Sequence, residues 1–286
     1  MITTINFHLV KACNFKCKFC YATFNDISGA GLSKAEQLKL IKVLSESGKF
    51  IKINFAGGEP TLVPHISELI QYAKSLGFET SIVTNASRID FNWVKNNAPF
   101  LDILAISINS IDERSNSKSG RNQRGETVKT ISLLDIASAC HIFDVNLKIN
   151  TVITQFNQDE NLSHFINQLK PFRWKVLQAT KVEGQNDLDF DKVKISSNKF
   201  KDYVSKNKLN LLPEIKLIVE SESIIQGSYL MIDMKGRFFD SAQMRHNYSD
   251  SILEVGVEKA LENINVDMAK FNQREGDYSL LNKKVS

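Results

Sequence analysis

Three cysteines within eight residues, Cys13, Cys17 and Cys20, are the residues of this chain best suited to chemistry. They follow a short alternating segment, Ile5-Asn6-Phe7-His8-Leu9. Three thiolates at this spacing suit a [4Fe–4S] cluster: each holds one iron, and the fourth iron stays open to another ligand. A closed structural zinc site takes four ligands instead. The neighbouring sequence offers no clear fourth, because His8 lies on the preceding strand and Cys140 on a helix far along the chain. Cys140 reads as a small buried hydrophobe. With only four cysteines, three of them clustered, the chain has no disulfide framework and implies a reducing, cytoplasmic setting.

A second candidate is Gly57-Gly58-Glu59-Pro60. A glycine pair lets backbone approach a ligand closely, and a carboxylate beside it accepts from a ligand ammonium. Taken alone, the same residues make an ordinary turn after a strand. A third candidate is cationic. Lys52, Lys148, Arg173 and Lys175 share the parity of one strand face. Buried together, like charges are costly without counter-charge, and a polyanion such as a triphosphate has the matching size and sign. The competing reading pairs each cation with a protein carboxylate. Acids on these strands look scarce: Glu59 belongs to the glycine turn, and Asp102 opens its strand. Asn6, Asn54 and Asn150 offer hydrogen bonds to a sugar or base.

The elements that must position these groups alternate. Strands are expected over residues 3–9, 50–55, 79–84, 102–108, 145–153 and 174–179. Helices are expected over 33–47, 65–76, 91–96, 127–141 and 159–169, the first opened by the capping box Ser33-Lys34-Ala35-Glu36, with Leu38, Ile41 and Leu44 on one face. Six β/α units imply a parallel sheet. An open sheet covered on both sides is apolar on both faces, whereas here one face carries Asn6 and His8, Lys52 and Asn54, Ser107 and Asn109, Lys148 and Asn150, and Arg173 and Lys175. The pattern predicts a partial (β/α)6 barrel with a polar lumen and its site inside and at the C-terminal strand ends. After 184 the pattern changes. A polar loop is expected over 185–194, a helix over 197–206, strands over 214–219 and 228–234, a hairpin turn at Lys235-Gly236, a helix over 257–261 and a mobile tail from 272. The expected division is a barrel over 1–184 and an α+β extension over 185–286 packed on it, the two forming either separate units or one continuous domain.

Composition narrows the function classes. Hydrophobic content of 42% and charged content of 24% are those of a globular protein. A net charge of +4 permits an anionic ligand but is too small for a nucleic-acid coat. No apolar run reaches the length of a membrane span, and a strand at the very start leaves no room for a signal peptide or membrane anchor.

The cysteine motif, with an aromatic residue before its last member, resembles that of the radical S-adenosylmethionine (SAM) superfamily, and Gly57-Gly58-Glu59-Pro60 resembles its GGEP motif. The resemblance implies that Cys13, Cys17 and Cys20 hold a [4Fe–4S] cluster whose open iron takes SAM. It also implies that Gly57, Gly58 and Glu59 bind the SAM amino group, and that Thr84 and Ser107 contact its ribose and carboxylate region. Arg121 would clamp the carboxylate, and Phe19 would face the adenine.

A closer resemblance covers nearly the whole chain. Ile5-Asn6-Phe7-His8-Leu9, Lys52-Ile53-Asn54-Phe55-Ala56, Leu101-Asp102-Ile103-Leu104-Ala105-Ile106-Ser107, Lys148-Ile149-Asn150, Arg173-Trp174-Lys175-Val176, Ser228-Tyr229-Leu230 and Ser251-Ile252-Leu253-Glu254-Val255-Gly256-Val257 look like the viperin family. Viperins are enzymes of antiviral defence that dehydrate a ribonucleoside triphosphate (CTP, UTP or GTP) to its 3′-deoxy-3′,4′-didehydro analogue, an RNA chain terminator. The resemblance implies SAM cleavage by the reduced cluster, removal of the ribose 4′ hydrogen, loss of the 3′ hydroxyl as water, and one further electron. It places the triphosphate on Lys52, Lys148, Arg173 and Lys175, the nucleotide against Asn6 and Asn150, and Tyr229 beside the ribose as a catalytic residue. A flavodoxin- or ferredoxin-type electron donor and a monomeric, cytoplasmic enzyme complete the expectation.

The chain departs from the animal viperins. It lacks their N-terminal amphipathic helix and terminal tryptophan, and its basic loop reads Arg245-His246-Asn247-Tyr248, with a phosphate contact by Arg245 or His246 left open. A competing reading is peptide or cofactor maturation, whose enzymes commonly carry further cysteine clusters; no cysteine follows Cys140. Another is a non-catalytic iron–sulfur or zinc module.

Overall fold

A computed structural model describes residues 3–278. Six β/α units come first: β1 (Thr4–His8), α1 (Lys34–Glu46), β2 (Lys52–Ala56), α2 (Ile66–Ser75), β3 (Glu79–Thr84), α3 (Phe91–Asn97), β4 (Ile103–Ser107), α4 (Glu113–Lys118), α5 (Thr130–Ile142), β5 (Asn146–Ile153), α6 (Ser163–Leu169) and β6 (Arg173–Gln178). Then come α7 (Asp187–Phe190), α8 (Ser197–Lys208), β7 (Lys216–Glu220), α9 (Glu222–Ile225), β8 (Met231–Ile232), β9 (Arg237–Asp240), β10 (Asn247–Ser251), α10 (Ile252–Val255), α11 (Val257–Leu261) and α12 (Met268–Gln273). The strands form one sheet in the order β10-β9-β8-β1-β2-β3-β4-β5-β6-β7. From β1 to β7 every pairing is parallel, and β6 takes β7 rather than β1 as its outer neighbour. The barrel is therefore partial, as the strand faces imply.

Residues beyond 184 extend this sheet at both edges, since β7 pairs with β6 and β8 pairs parallel with β1. The β8–β9 hairpin turns at Lys235-Gly236, where Asp233 fixes the bend. Its Oδ1 accepts from the backbone N–H groups of Lys235 and Arg237, and Gly236 takes a φ of +74°. Using Asp233 in this way stops β8 at two residues, well short of the expected strand.

Strand parity sorts the side chains. Ile5, Phe7, Ile53, Phe55, Leu104, Ile106, Leu147, Ile149, Trp174 and Val176 join the helices in the main core. Each fully buried aliphatic or aromatic side chain of this kind contributes roughly 1.5–3 kcal/mol. The α1 capping box is present, but its buried stripe is Gln37, Leu40, Ile41 and Leu44, with Leu38 only partly covered. The polar stretch 185–194 is ordered by bonds to both near and distant residues rather than left as a loop. Asn186 Nδ2 reaches the Phe19 and Thr180 carbonyls, and α7 follows directly. The tail expected to be mobile from 272 is packed as far as Tyr278, with Phe271 1% and Arg274 5% exposed, while residues 279–286 lie outside the described residues. Among the described residues, no helix is long and apolar enough to cross a membrane.

Candidate active site

At the C-terminal end of β1 the chain enters the cysteine loop, and its shape is set by neighbouring backbone. Gly58 N–H donates to Val10 O at 2.6 Å and Glu59 N–H to Ala12 O at 2.9 Å. A Cβ at Gly58 would lie 2.2 Å from Ala12 O, and one at Gly57, whose φ is +152°, 2.9 Å from Val10 O. The glycine pair thus serves first to let the turn after β2 close onto the approach to Cys13. On the other side, Lys16 and Lys18 N–H donate to Gly120 O and Ser119 O, both at 3.0 Å. A Cβ at Gly120 would meet Lys16 O at 2.0 Å. The loop bearing Arg121 is stitched to the cysteines in the same manner.

All three thiols are half-buried and line one cavity. Arg121 sends Nη1 to Cys17 Sγ at 3.8 Å and Nη2 to Ser107 O at 2.6 Å, and Phe15 N–H points at Cys13 Sγ at 3.4 Å. Burial pushes the Cys20 thiol up to about 12, reinforced by Cys17. Buried sulfurs facing one another are stable as thiolates only against a cationic centre. Among the described residues no three His, Cys, Asp or Glu side chains are placed to share one metal ion. Three half-buried thiols lining one cavity fit a cluster, whose thiolates bind different irons.

Glu59, 1% exposed, is held rigidly beside the cysteines. Its Oε1 accepts from Thr61 N–H at 3.1 Å, the Thr61 hydroxyl at 2.6 Å and the Thr84 hydroxyl at 2.7 Å, and Oε2 accepts from Asn85 N–H at 2.8 Å. Oε2 keeps acceptor capacity toward the cavity. The Thr84 hydroxyl is already committed to Glu59. Phe19 packs on Ala179 and Val193. Phe19, Gly57, Gly58, Glu59, Thr84, Ser107 and Arg121 all line the cavity with the cysteines.

The same cavity continues down the lumen, lined by Asn6, Asn54, Lys148, Asn150, Lys175 and Tyr229. Asn54 Nδ2 donates to Asn6 Oδ1 at 2.7 Å, while the side-chain oxygens of Asn54 and Asn150 have no hydrogen-bond donor. Such buried, unsatisfied acceptors mark a place for a polar ligand. Arg245 and His246 do not line it; His246 packs on Phe239 at a 4.8 Å ring separation.

The cations lie toward the N-terminal ends of the strands, the end opposite the cysteines, and they are not short of carboxylates. Lys52 and Glu79 pair at 2.8 Å with both side chains 0% exposed. Lys175 and Glu220 pair at 2.8 Å, Arg173 and Glu275 at 3.5 Å, and Arg274 and Glu220 at 3.8 Å. The expected scarcity of acids is therefore corrected. Glu79 sits on the lumen parity of β3 with Ser81 and Val83, a signal available from its position, whereas Glu220, Glu275 and Arg274 come from beyond the β/α repeats. Five cations still exceed three carboxylates, so the cradle keeps a positive balance. Lys52 and Arg173 are absent from the cavity lining, screened by Tyr278, which does line it.

Tyr229 is tied into this network. Its hydroxyl donates to Glu220, accepts from Lys175 Nζ at 2.9 Å, and its ring lies 3.7 Å from Arg274 Cζ. Burial, then Glu220, raises its pKa well above that of a free phenol. Burial opposes a charge on Glu220, yet Lys175 and Arg274 hold it below the ordinary carboxylate range.

Lys148 donates to the Tyr278 hydroxyl at 2.8 Å. Burial, with Arg173, Lys52 and Arg274 adding repulsion against the pull of Glu220, lowers it to about 7. Burial likewise lowers Lys175 to about 7, again against Glu220. The sign follows from linkage. A lysine whose folded value is depressed is charged in both states below about 7, so the folded chain gains stability as pH rises from there toward the unfolded value near 10.4. Anion binding runs the other way. The Kd for inorganic tripolyphosphate should climb by up to about tenfold per pH unit above neutrality for each lysine that must take up a proton. Lys148→Arg, which does not titrate in this range, should flatten that rise; calorimetric titration across pH that shows no alkaline weakening would refute it.

A family model described as "Radical SAM superfamily" matches residues 8–169. An S-adenosylmethionine-dependent nucleotide dehydratase of Lacinutrix mariniflava is 42% identical over 285 residues, covering 97% of this chain and 59% of that protein. One of Flammeovirga pacifica is 41% identical over 283 residues, covering 97% of this chain and 96% of the relative. The chain thus spans less than two thirds of the first relative and nearly all of the second. Among solved structures, Streptococcus suis SuiB bound to S-adenosylmethionine superposes with a TM-score of 0.64 at 19% identity, over 82% of this chain and 59% of that one, a likeness of fold alone.

Proposed function

The chain belongs to the radical SAM superfamily and, within it, to the S-adenosylmethionine-dependent nucleotide dehydratases, the viperins, and on that premise we propose that it dehydrates a ribonucleoside triphosphate to its 3′-deoxy-3′,4′-didehydro analogue. The observation that carries this reading is a single lumen with the thiolate loop at one end and an excess of buried cations toward the other. A nucleoside triphosphate offers an anionic end to the cations and a polar sugar and base to the asparagines that line the lumen.

Cys13, Cys17 and Cys20 hold the [4Fe–4S] cluster, and Glu59, Arg121, Thr84, Ser107, Phe19 and the glycine pair seat SAM. Together the two cofactors supply a carbon radical able to remove a hydrogen atom. The residues of the chain provide position and a dry site. Lys52, Lys148, Arg173, Lys175 and Arg274 hold the phosphates. Asn6, Asn54 and Asn150 orient the sugar and base. Tyr229, with Lys175 at its hydroxyl, is the residue we assign to the ribose, where it helps quench the substrate radical. An electron from a flavodoxin- or ferredoxin-type donor completes the balance, in a monomeric, cytoplasmic enzyme whose product ends RNA chains in antiviral defence.

The test is anaerobic reconstitution with iron, sulfide and reductant, followed by product analysis with CTP, UTP and GTP in turn. One of them should stimulate SAM cleavage and yield a product lighter by one water. Lys148→Ala should weaken binding of that triphosphate by roughly 10- to 100-fold, the worth of one charge-assisted hydrogen bond, and leave the nucleoside alone unaffected. Cleavage that no nucleotide stimulates would sink the proposal.

A further inference from the structure

We propose that the surface over the cysteine loop is the docking site of an acidic protein that delivers single electrons. The inference rests on the reading of Cys13, Cys17 and Cys20 as ligands of a redox cluster. Residues 11–25 and 114–125 carry seven lysines and arginines and no aspartate or glutamate. The whole chain has a net charge of +4, so everything outside these two segments is net negative. The positive charge of the molecule is concentrated on the segments that wrap the thiols.

Hydrogen bonds make the two segments one surface. Besides the bonds from Lys16 and Lys18 N–H to Gly120 O and Ser119 O, Asn14 Nδ2 donates to Gln123 Oε1 at 2.6 Å. Arg121 turns inward to Cys17 Sγ, whereas Lys16, Lys118 and Arg124 are exposed. Lys18 is half-buried, its ammonium 5.8 Å from the Phe156 ring centre. Of the acids at the margin, Asp112 caps α4 and Glu113 pairs with Lys129 at 2.6 Å. Cys17 stands between Lys16 and Lys18. SAM takes the lumen side of the cysteines, which leaves the outer side for electron entry. Redox encounters use small interfaces, below about 1,200 Å², and draw their rate from complementary charge. A compact patch of exposed cations on a tethered backbone has that character. Phe15 and Phe19, which alternate with the lysines, are buried, so bases find no ring there on which to stack.

The probes are an acidic flavodoxin and an acidic ferredoxin, each oxidised, titrated into the reconstituted, unreduced protein. One of them should bind at low ionic strength, with a Kd that rises about tenfold as salt screens the charges. Lys16→Glu/Lys118→Glu/Arg124→Glu should weaken that binding by roughly tenfold, the worth of three exposed charge pairs. SAM cleavage driven by the protein carrier should fall with it, while cleavage driven by dithionite stays within about twofold of wild type. If the triple variant takes up no iron, Lys118→Glu/Arg124→Glu, off the cysteine loop, carries the same comparison. Binding of neither carrier, or equal binding by wild type and variant, overturns the inference. So does an RNA oligonucleotide that binds the patch where both carriers fail, which would make it a nucleic-acid surface. Failure of the premise is distinguishable. If the carrier binds the patch but no nucleoside triphosphate stimulates SAM cleavage, the docking site stands and the proposed reaction does not. If dithionite supports turnover of a triphosphate but neither carrier binds, the reaction stands and the docking site falls.

Discussion

Cys17→Ala, reconstituted anaerobically, is expected to lose the visible iron–sulfide absorption and to cleave no SAM, while still binding the preferred nucleoside triphosphate within about twofold of wild type, because distant sites without shared partners act independently. Cys17 is one of three sulfurs in a site with no spare thiol, since the remaining cysteine, Cys140, is 0% exposed in the core. Its loss also leaves Arg121 Nη1 without the sulfur at 3.8 Å, so the loop closing the SAM side loses a tether. The cations proposed to hold the triphosphate lie toward the other end of the strands and share no residue with that loop. Iron-to-protein stoichiometry, SAM cleavage and nucleotide titration on one preparation separate the two ends. Retained SAM cleavage would show that the cysteines are not the cluster's ligands. Equal loss of nucleotide affinity would show that the lumen is not a pair of separable subsites.

The barrel and its polar lumen were legible because a parallel strand buried against helices needs an apolar face. Asn6, Lys52, Lys148, Asn150 and Lys175 broke that rule on one parity, and parity is enough to place them inside. The cysteine loop was legible from spacing alone. Three things were not. The glycine pair after β2 was read only as room for a ligand, yet it also closes on the carbonyls of Val10, Lys11 and Ala12; spacing says that a backbone comes close, not whose. Two counter-charges were missed because Glu220 and Glu275 stand outside the repeats, on an edge strand and in the tail, whereas Glu79 was legible from its lumen parity on β3 and was overlooked. The tail itself looked polar and mobile. Its order to Tyr278 depends on Arg173, Lys52 and Lys148, residues about a hundred or more positions away, and no local pattern reports such contacts.

Glu220→Ala should be the most destabilising single change in the cradle. Glu220 is 0% exposed, and it meets Lys175 at 2.8 Å, Arg274 at 3.8 Å and the Tyr229 hydroxyl. A carboxylate in a polyanion site opposes the ligand's charge, so its presence reflects the state without ligand, in which buried cations need an anion. Removing one partner of a buried pair costs about 3–5 kcal/mol, and in a chain of this size the melting temperature should fall by roughly 6–15 °C. Two comparisons separate charge from packing. Adding Lys175→Met to Glu220→Ala should recover part of the loss, because the uncompensated cation is removed with it. Saturating tripolyphosphate should raise the melting temperature of Glu220→Ala more than that of wild type, since the anion then neutralises Lys175 and Arg274 without meeting a carboxylate. Thermal melts of the three proteins, with and without tripolyphosphate, measure both. Glu220→Ala melting within about 2 °C of wild type, a loss under ~1 kcal/mol, would mean that Lys175 and Arg274 carry their charges into the lumen without help. The balance between cradle and counter-charge described above would then be wrong.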